Sequence, residues 1–429
     1  MIRLHNSDNG LRIGLERVET VQTVSIGVWV KTGSRWETLE NNGIAHLIEH
    51  MVFKGTVRRS AQVIMEEIEE KGGSLNAFTS REYTCFYGKV LKEDQQLLLD
   101  ILSDMVFFST FTQDNIDREK MVVLEEIAMY EDTPDDAVHD LLLEEMFAHH
   151  PLGRNILGTA NRISSMTQEQ IVSFHQEHYQ PHKMVVSVAG NILEEEIISQ
   201  IEHYFMLHRQ REKNNDSMQP IGKIGKGFIY QAKKVEQSHL CLGIQSPHKE
   251  DDEYFSLVML NSILGGSGSS RLFQEIREKR GLAYSIYSYN QSFSDVGVFS
   301  IYAGTSHQSV NQVLDLVVRM LEDVKNGGLN QKEYNRTKNQ LRAHIVMGNE
   351  SISSKMKRIG SNLMEQDRIV EEEEILQKLE AVSFENMEEL AQKLCDPSSY
   401  AMAVIGVERN KKSVMTWWQE LKGTIHEAL

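Results

Sequence analysis

Ile44-Ala45-His46-Leu47-Ile48-Glu49-His50-Met51-Val52 carries two patterns at once. Ile44, Leu47, Ile48, Met51 and Val52 recur at i, i+3, i+4, i+7 and i+8, the spacing of a helix with one buried face. His46, Glu49 and His50 stand at i, i+3 and i+4, so they share a different face. Asn41-Asn42-Gly43 just upstream offers capping chemistry for the helix start. Such a helix buries its aliphatic stripe and presents two imidazoles and a carboxylate to a cleft. Neutral imidazoles one turn apart suit zinc, and a nearby carboxylate that is not a ligand can act as a base towards water. Read alone, the pentapeptide equally fits an exposed face with two solvated histidines.

Working outward, Gln113–Glu131 reads as a long helix, with Glu119 and Glu126 seven positions apart and therefore on one face. A solvated acidic face explains that pair as well as a metal site does. The order His-x-x-Glu-His inverts the more familiar His-Glu-x-x-His, and the inverted form is itself a zinc-peptidase signature.

His46 to His50 followed by Met-Val-Phe-Lys-Gly-Thr56 resembles the pitrilysin/insulinase family of zinc peptidases, the inverzincins. Further matching segments are Gly72-Gly73-Ser-Leu-Asn76-Ala-Phe-Thr79, Glu82-Tyr-Thr-Cys-Phe-Tyr87, Pro151-Leu-Gly-Arg154, Ile156-Leu-Gly158 and Arg277-Glu-Lys-Arg-Gly-Leu-Ala-Tyr284. The likeness runs over nearly the whole chain. It is closest to the half-length subfamily that includes mitochondrial processing peptidase and its bacterial relatives. The resemblance implies that His46, His50 and Glu126 bind one Zn2+ per chain, leaving a position for water. It implies that Glu49 takes the proton of that water, that Glu119 supports the site, and that Arg277 and Tyr284 contact substrate and hold the scissile carbonyl. Asn76, Ala77, Phe78 and Thr79 would belong to an edge strand to which an extended peptide adds by main-chain pairing. The expected partner is a peptide substrate, and four similar domains would enclose a chamber. A chain of this length supplies two, which implies a homodimer, with a heterodimer of paralogues as the other arrangement. A non-catalytic scaffold subunit of a heterodimeric peptidase is the alternative reading. Such paralogues usually lose motif residues, and this chain keeps them. Precursor processing and peptide clearance would both be served by the same residues.

At 429 residues, two domains are the natural expectation. An apolar share of 40% with 25% charged residues describes a globular protein rather than a disordered one. No run of eighteen apolar residues occurs, so no membrane span is expected. The N-terminus lacks the pattern of a signal peptide or an organelle presequence, and a cytoplasmic location is expected. A net charge of -17 argues against a nucleic-acid surface. Cys85, Cys241 and Cys395 are widely spaced and odd in number, offering neither a disulfide framework nor a CxxC site; Cys85 and Cys241 lie in strand-like runs and read as buried thiols.

The expected fold class is α+β: two homologous α/β sandwich domains, each a mostly antiparallel sheet packed against helices, related by duplication. Val24, Ile26, Val28 and Val30 alternate as a half-buried strand. Helices are expected over 61–71, 93–108 and 134–147, and strands over 74–78, 83–90 and 184–189. Residues 1–208 form the expected zinc-binding domain, a polar segment over 209–226 the linker, and 227–429 a second domain without metal that contributes substrate-binding residues. Gln331-Lys-Glu-Tyr-Asn-Arg-Thr-Lys338 echoes Gln113-Asp-Asn-Ile-Asp-Arg-Glu-Lys120, and at that constant offset Glu119 becomes Thr337 and Glu126 becomes His344. The counterpart of the metal helix falls near 255–266 and has no HxxEH. Gly265-Gly266-Ser-Gly268 lacks the ending of a phosphate loop and reads as a turn. His175, His178 and His182 fall near helical spacing; surface histidines are expected there rather than a second metal site, because Pro181 interrupts the helix.

Overall fold

The computed structural model describes residues 2–205 and 219–426, and divides them into two compact units. Of the expected linker, 209–218 lies outside the described residues.

The first unit is built on a six-stranded sheet. Its strands are β1 (Ile2–Asn6), β2 (Arg12–Arg17), β3 (Thr23–Val30), β4 (Ser74–Thr79), β5 (Thr84–Leu91) and β6 (Met184–Gly190), in the order β1-β2-β6-β3-β5-β4. Only β2 and β6 pair in parallel. Side chains alternate across each strand. Val24, Ile26, Val28 and Val30 therefore pack on one face, beneath the helices Ile44–Val52, Gln95–Phe108, Gln168–His178 and Glu194–Phe205.

Trp29, Cys85, Val185 and Ala189 point to the opposite face, where the helix Ile352–Glu365 covers them. Ile352, Met356, Ile359 and Leu363 recur at helical spacing and supply the covering stripe. Burying side chains of this size contributes about 1.5–3 kcal/mol each. Gly360 lies against the Trp29 indole, where a Cβ would collide with the ring. Both faces of β6 are thus dry, which is why it is an unbroken apolar run.

The second unit repeats the plan with β7 (Phe228–Ala232), β8 (Ser238–Ser246), β9 (Ala283–Ser292), β10 (Gly297–Thr305) and β11 (Ala401–Gly406), ordered β7-β11-β8-β10-β9. One parallel pair, β7 with β11, is followed by three antiparallel ones. The sequence β2-β6-β3-β5-β4 has the same pattern, so the expected duplication is visible in the topology. Leu240, Leu242, Phe299 and Ile301 face the helices Tyr254–Leu264, Val310–Lys325 and Phe384–Leu394. Cys241, Val298, Ala403 and Ile405 face the helix Pro134–Met146 through Val138, Leu142 and Met146.

Each sheet therefore takes its second cover from the other half of the sequence. Residues 129–153 pack in the second unit and 346–372 in the first, so the units are not the contiguous stretches 1–208 and 227–429. The reason is that each sheet is apolar on both faces, and one layer of helices shields only one. The helix Tyr254–Leu264 ends at Gly265 as the expected turn. All three cysteines are buried and free. His175 and His178 are also buried, against the expectation of surface histidines. Their rings stack on Tyr179 and Phe174, and His175 Nε2–H donates to the Val106 carbonyl at 2.8 Å. They are core imidazoles. Among the described residues no helix is long and apolar enough to cross a membrane.

Candidate metal centre

The helix Ile44–Val52 is anchored by the stripe its sequence announces: Ile44, Leu47, Ile48, Met51 and Val52 are all buried. Of the expected capping segment Asn41-Asn42-Gly43, the glycine is the residue at the helix start. The N-cap is Gly43, in the left-handed region at φ 95° and without side-chain capping of its own. A Cβ there would meet the Leu157 carbonyl oxygen at 2.7 Å, which restricts the position to glycine. The cap is Glu37, six residues upstream. Its carboxylate accepts from the backbone N–H groups of Gly43 and Ala45, each at 2.9 Å, and from Asn42 Nδ2 at 2.8 Å. The Glu37 carboxyl is pushed up to about 7, because burial outweighs the lowering effect of those donors and of the nearby Arg154. Arg154 also donates to the Glu37 carbonyl, tying a second loop to the helix entry.

On the cleft side, His46, His50 and Glu126 each direct a donor atom inward, all within 4.8 Å of one another. His46 Nε2 lies 3.8 Å and His50 Nε2 3.5 Å from Glu126 Oε2. Donors at zinc bond lengths in a tetrahedron stand about 3.4 Å apart. The observed set lies close to that separation and is of the two-His, one-carboxylate type. Burial, then the neighbouring His50, lowers the His46 pKa to about 4, so this imidazole is neutral at pH 7 with a lone pair for a metal. These residues fit a zinc ion.

Glu126 and Glu119 both come from the helix Gln113–Glu131, one heptad apart as the spacing requires. Glu119 is only 5% exposed, and its Oε2 lies 3.3 Å from His50 Nδ1. A carboxylate accepts only, so the hydrogen of this contact is on His50 Nδ1, and Nε2 is the ring nitrogen that faces Glu126. Lys54 Nζ reaches the other oxygen of Glu119 at 2.8 Å. Glu49 stands on the same helix face, its carboxyl raised above the usual range by burial and partly restored by a bond from Thr79.

β4 is an edge strand, paired on one side with β5. Leu75 and Ala77 pack towards the core beneath the metal helix, whereas Phe78 turns to the opposite face against Trp29, Tyr83 and Tyr87. The exposed Asn76 accepts from the Ala77 N–H through its own side chain. Arg277 and Tyr284 come together in the second unit. The guanidinium lies 4.9 Å from the centre of the Tyr284 ring, which is 77% exposed on the edge strand β9. Sequence reasoning missed Glu37, Lys54 and the Thr79 contact. Lys54 stands within the Met-Val-Phe-Lys-Gly-Thr56 segment and was legible as a position; Glu37 carries no local signal.

The profile of Insulinase (Peptidase family M16) matches residues 12–160, and that of the Peptidase M16 inactive domain matches 165–341. The chain is 42% identical over 413 residues to the uncharacterised zinc protease YmxG of Bacillus subtilis, covering 96% of this chain and all of that one. It is 37% identical over 408 residues to the uncharacterised zinc protease Rv2782c of Mycobacterium tuberculosis, covering 94% and 93%. Among solved structures, a protease from Helicobacter pylori shares the fold with a TM-score of 0.88 at 21% identity, over 95% of this chain and 99% of that one.

Proposed function

The chain belongs to the M16, or insulinase, family of peptidases, and on that premise we propose that it is a zinc-dependent endopeptidase acting on peptides or unfolded segments. The observation that supports this reading best is the convergence of His46, His50 and Glu126, with Glu49 beside the two histidines on their helix. Zinc bound there would supply Lewis acidity, making a water more acidic and polarising the scissile carbonyl. Glu49 takes the proton of the attacking water as the C–O bond forms and the carbonyl becomes a tetrahedral oxyanion; it then passes that proton to the amine nitrogen as the carbonyl re-forms and the C–N bond breaks. Glu119 keeps His50 in the tautomer a metal requires. The free edge of β4 takes an extended peptide by main-chain pairing, which leaves selectivity to side-chain pockets. Arg277 and Tyr284 stabilise the developing oxyanion, a role suited to a guanidinium and a phenol. The active form is a homodimer with one zinc per chain.

A peptide-library digest read by mass spectrometry tests this reading. Cleavage by the zinc-loaded protein is expected, with loss on chelation and in Glu49→Gln. Stoichiometric zinc binding without cleavage of any unfolded peptide sinks the endopeptidase reading.

A further inference from the structure

Glu49 cannot hold itself in place. It stands on a helix face turned to the cleft, and a carboxylate with two equivalent oxygens swivels unless something distinguishes them. Thr79 does. Its Oγ1 lies 2.5 Å from Glu49 Oε2. The carboxylate has no hydrogen to give, so the single hydroxyl hydrogen of Thr79 is donated to it. That leaves the Thr79 oxygen as an acceptor, and Thr84 Oγ1 lies 3.1 Å away. Among the described residues the Thr84 hydroxyl's other partner is the Thr32 carbonyl, at the longer distance of 3.4 Å. The hydrogens therefore run one way, from Thr84 to Thr79 to Glu49, and bonds aligned in series strengthen one another.

The pair is built into the sheet. Thr79 and Thr84 stand directly opposite in the register of β4 and β5, and Thr84 is fully buried. Their hydroxyls are thus held by strand pairing on both sides of the contact.

We propose that Thr79, backed by Thr84, is the positioning residue for Glu49, fixing its rotamer and reserving Oε2 as a permanent acceptor so that Oε1 receives the proton. The threonine hydroxyls orient the base and take no part in the proton transfer itself. When Glu49 is protonated on Oε1, its Oε2 still accepts from Thr79, so the arrangement persists through the cycle. Thr79 is also the last residue of the strand whose edge takes the peptide, so substrate and base are aligned on the same piece of backbone. This inference rests on the endopeptidase reading.

Kinetics of Thr79→Val, Thr79→Ser, Thr84→Val and the Thr79→Val/Thr84→Val double variant, with zinc content measured in each, provide the test. Valine keeps the shape and removes only the hydroxyl. In Thr79→Val, kcat should fall about 10- to 100-fold, as for other residues that orient a catalytic group, with KM and zinc content unchanged. Thr79→Ser should restore most of the loss. Thr84→Val should lose less, and the double variant should match Thr79→Val alone, since Thr84 acts only through Thr79. Wild-type kcat in Thr79→Val, a loss confined to KM, loss of zinc, or failure of serine to restore activity each overturns the proposal while leaving the peptidase standing. An inert, zinc-loaded wild type overturns both.

Discussion

At the scale of single residues, the centre is asymmetric. The His50 imidazole is oriented through its Nδ1 by Glu119, whereas His46 Nδ1 has no hydrogen-bond partner among the described residues. His46 is kept in place by packing and His50 by its hydrogen bond to a buried carboxylate. Glu119→Gln keeps an acceptor for His50 but removes the charge and strands Lys54. Zinc affinity, measured by competition with a chelator, is expected to fall about 10- to 100-fold. A different imidazole governs acid stability away from the metal. Burial lowers the His175 pKa from 6.5 to about 4. Between those values the unfolded chain binds a proton that the folded chain refuses. Stability is therefore full above pH 6.5 and declines as the pH drops towards 4, by on the order of 3 kcal/mol from this group. His175→Gln retains a donor for the Val106 carbonyl and cannot titrate, so its urea midpoint should vary less across that window.

At the scale of elements, the metal helix is a short one whose position depends on both ends. Its nine residues are too few to be stable alone, and packing of the aliphatic stripe supplies most of the stability. Glu37 completes it by satisfying two N–H groups of the first turn that would otherwise be buried without partners. Glu37→Ala leaves both bare and is expected to cost about 1–3 kcal/mol per stranded group, read as a lower denaturant midpoint. Because the same helix carries His46, Glu49 and His50, zinc affinity should fall alongside. An unchanged midpoint would assign the entry of the helix to its stripe alone.

At the scale of the whole molecule, duplication has given two units of one topology and two different contents. Thr337 and the exposed His344 occupy the positions that echo Glu119 and Glu126, and the helix Tyr254–Leu264 carries no His, Cys, Asp or Glu. The second unit offers Arg277 and Tyr284 instead. In the proposed homodimer these residues would serve either their own chain's centre or the partner's. Mixing Arg277→Ala chains with Glu49→Gln chains, each inactive alone, distinguishes the two: recovered cleavage is expected if centres are shared. Heterodimers that form and stay inert would confine each site to one chain.

Periodic features were legible from residues alone because they are encoded within a turn or two. The stripe of Ile44, Leu47, Ile48, Met51 and Val52, the heptad from Glu119 to Glu126, and the alternation of Val24 to Val30 each lie within one element, where 3.6 or 2.0 residues per repeat dictates the face. The sequence by itself thus determined the two-sheet α+β plan and which side chains approach one another on the metal helix and its neighbour. Tertiary structure alone decided the rest. Glu37 reaches a helix it does not belong to, Thr79 meets Glu49 across 30 positions, and His175 donates to the Val106 carbonyl across 69. Helices 134–146 and 352–365 each cover the sheet of the other half. These pairings come from filling the second face of each sheet and from satisfying buried donors and acceptors. Both depend on which surfaces meet in space, and spacing along the chain records neither.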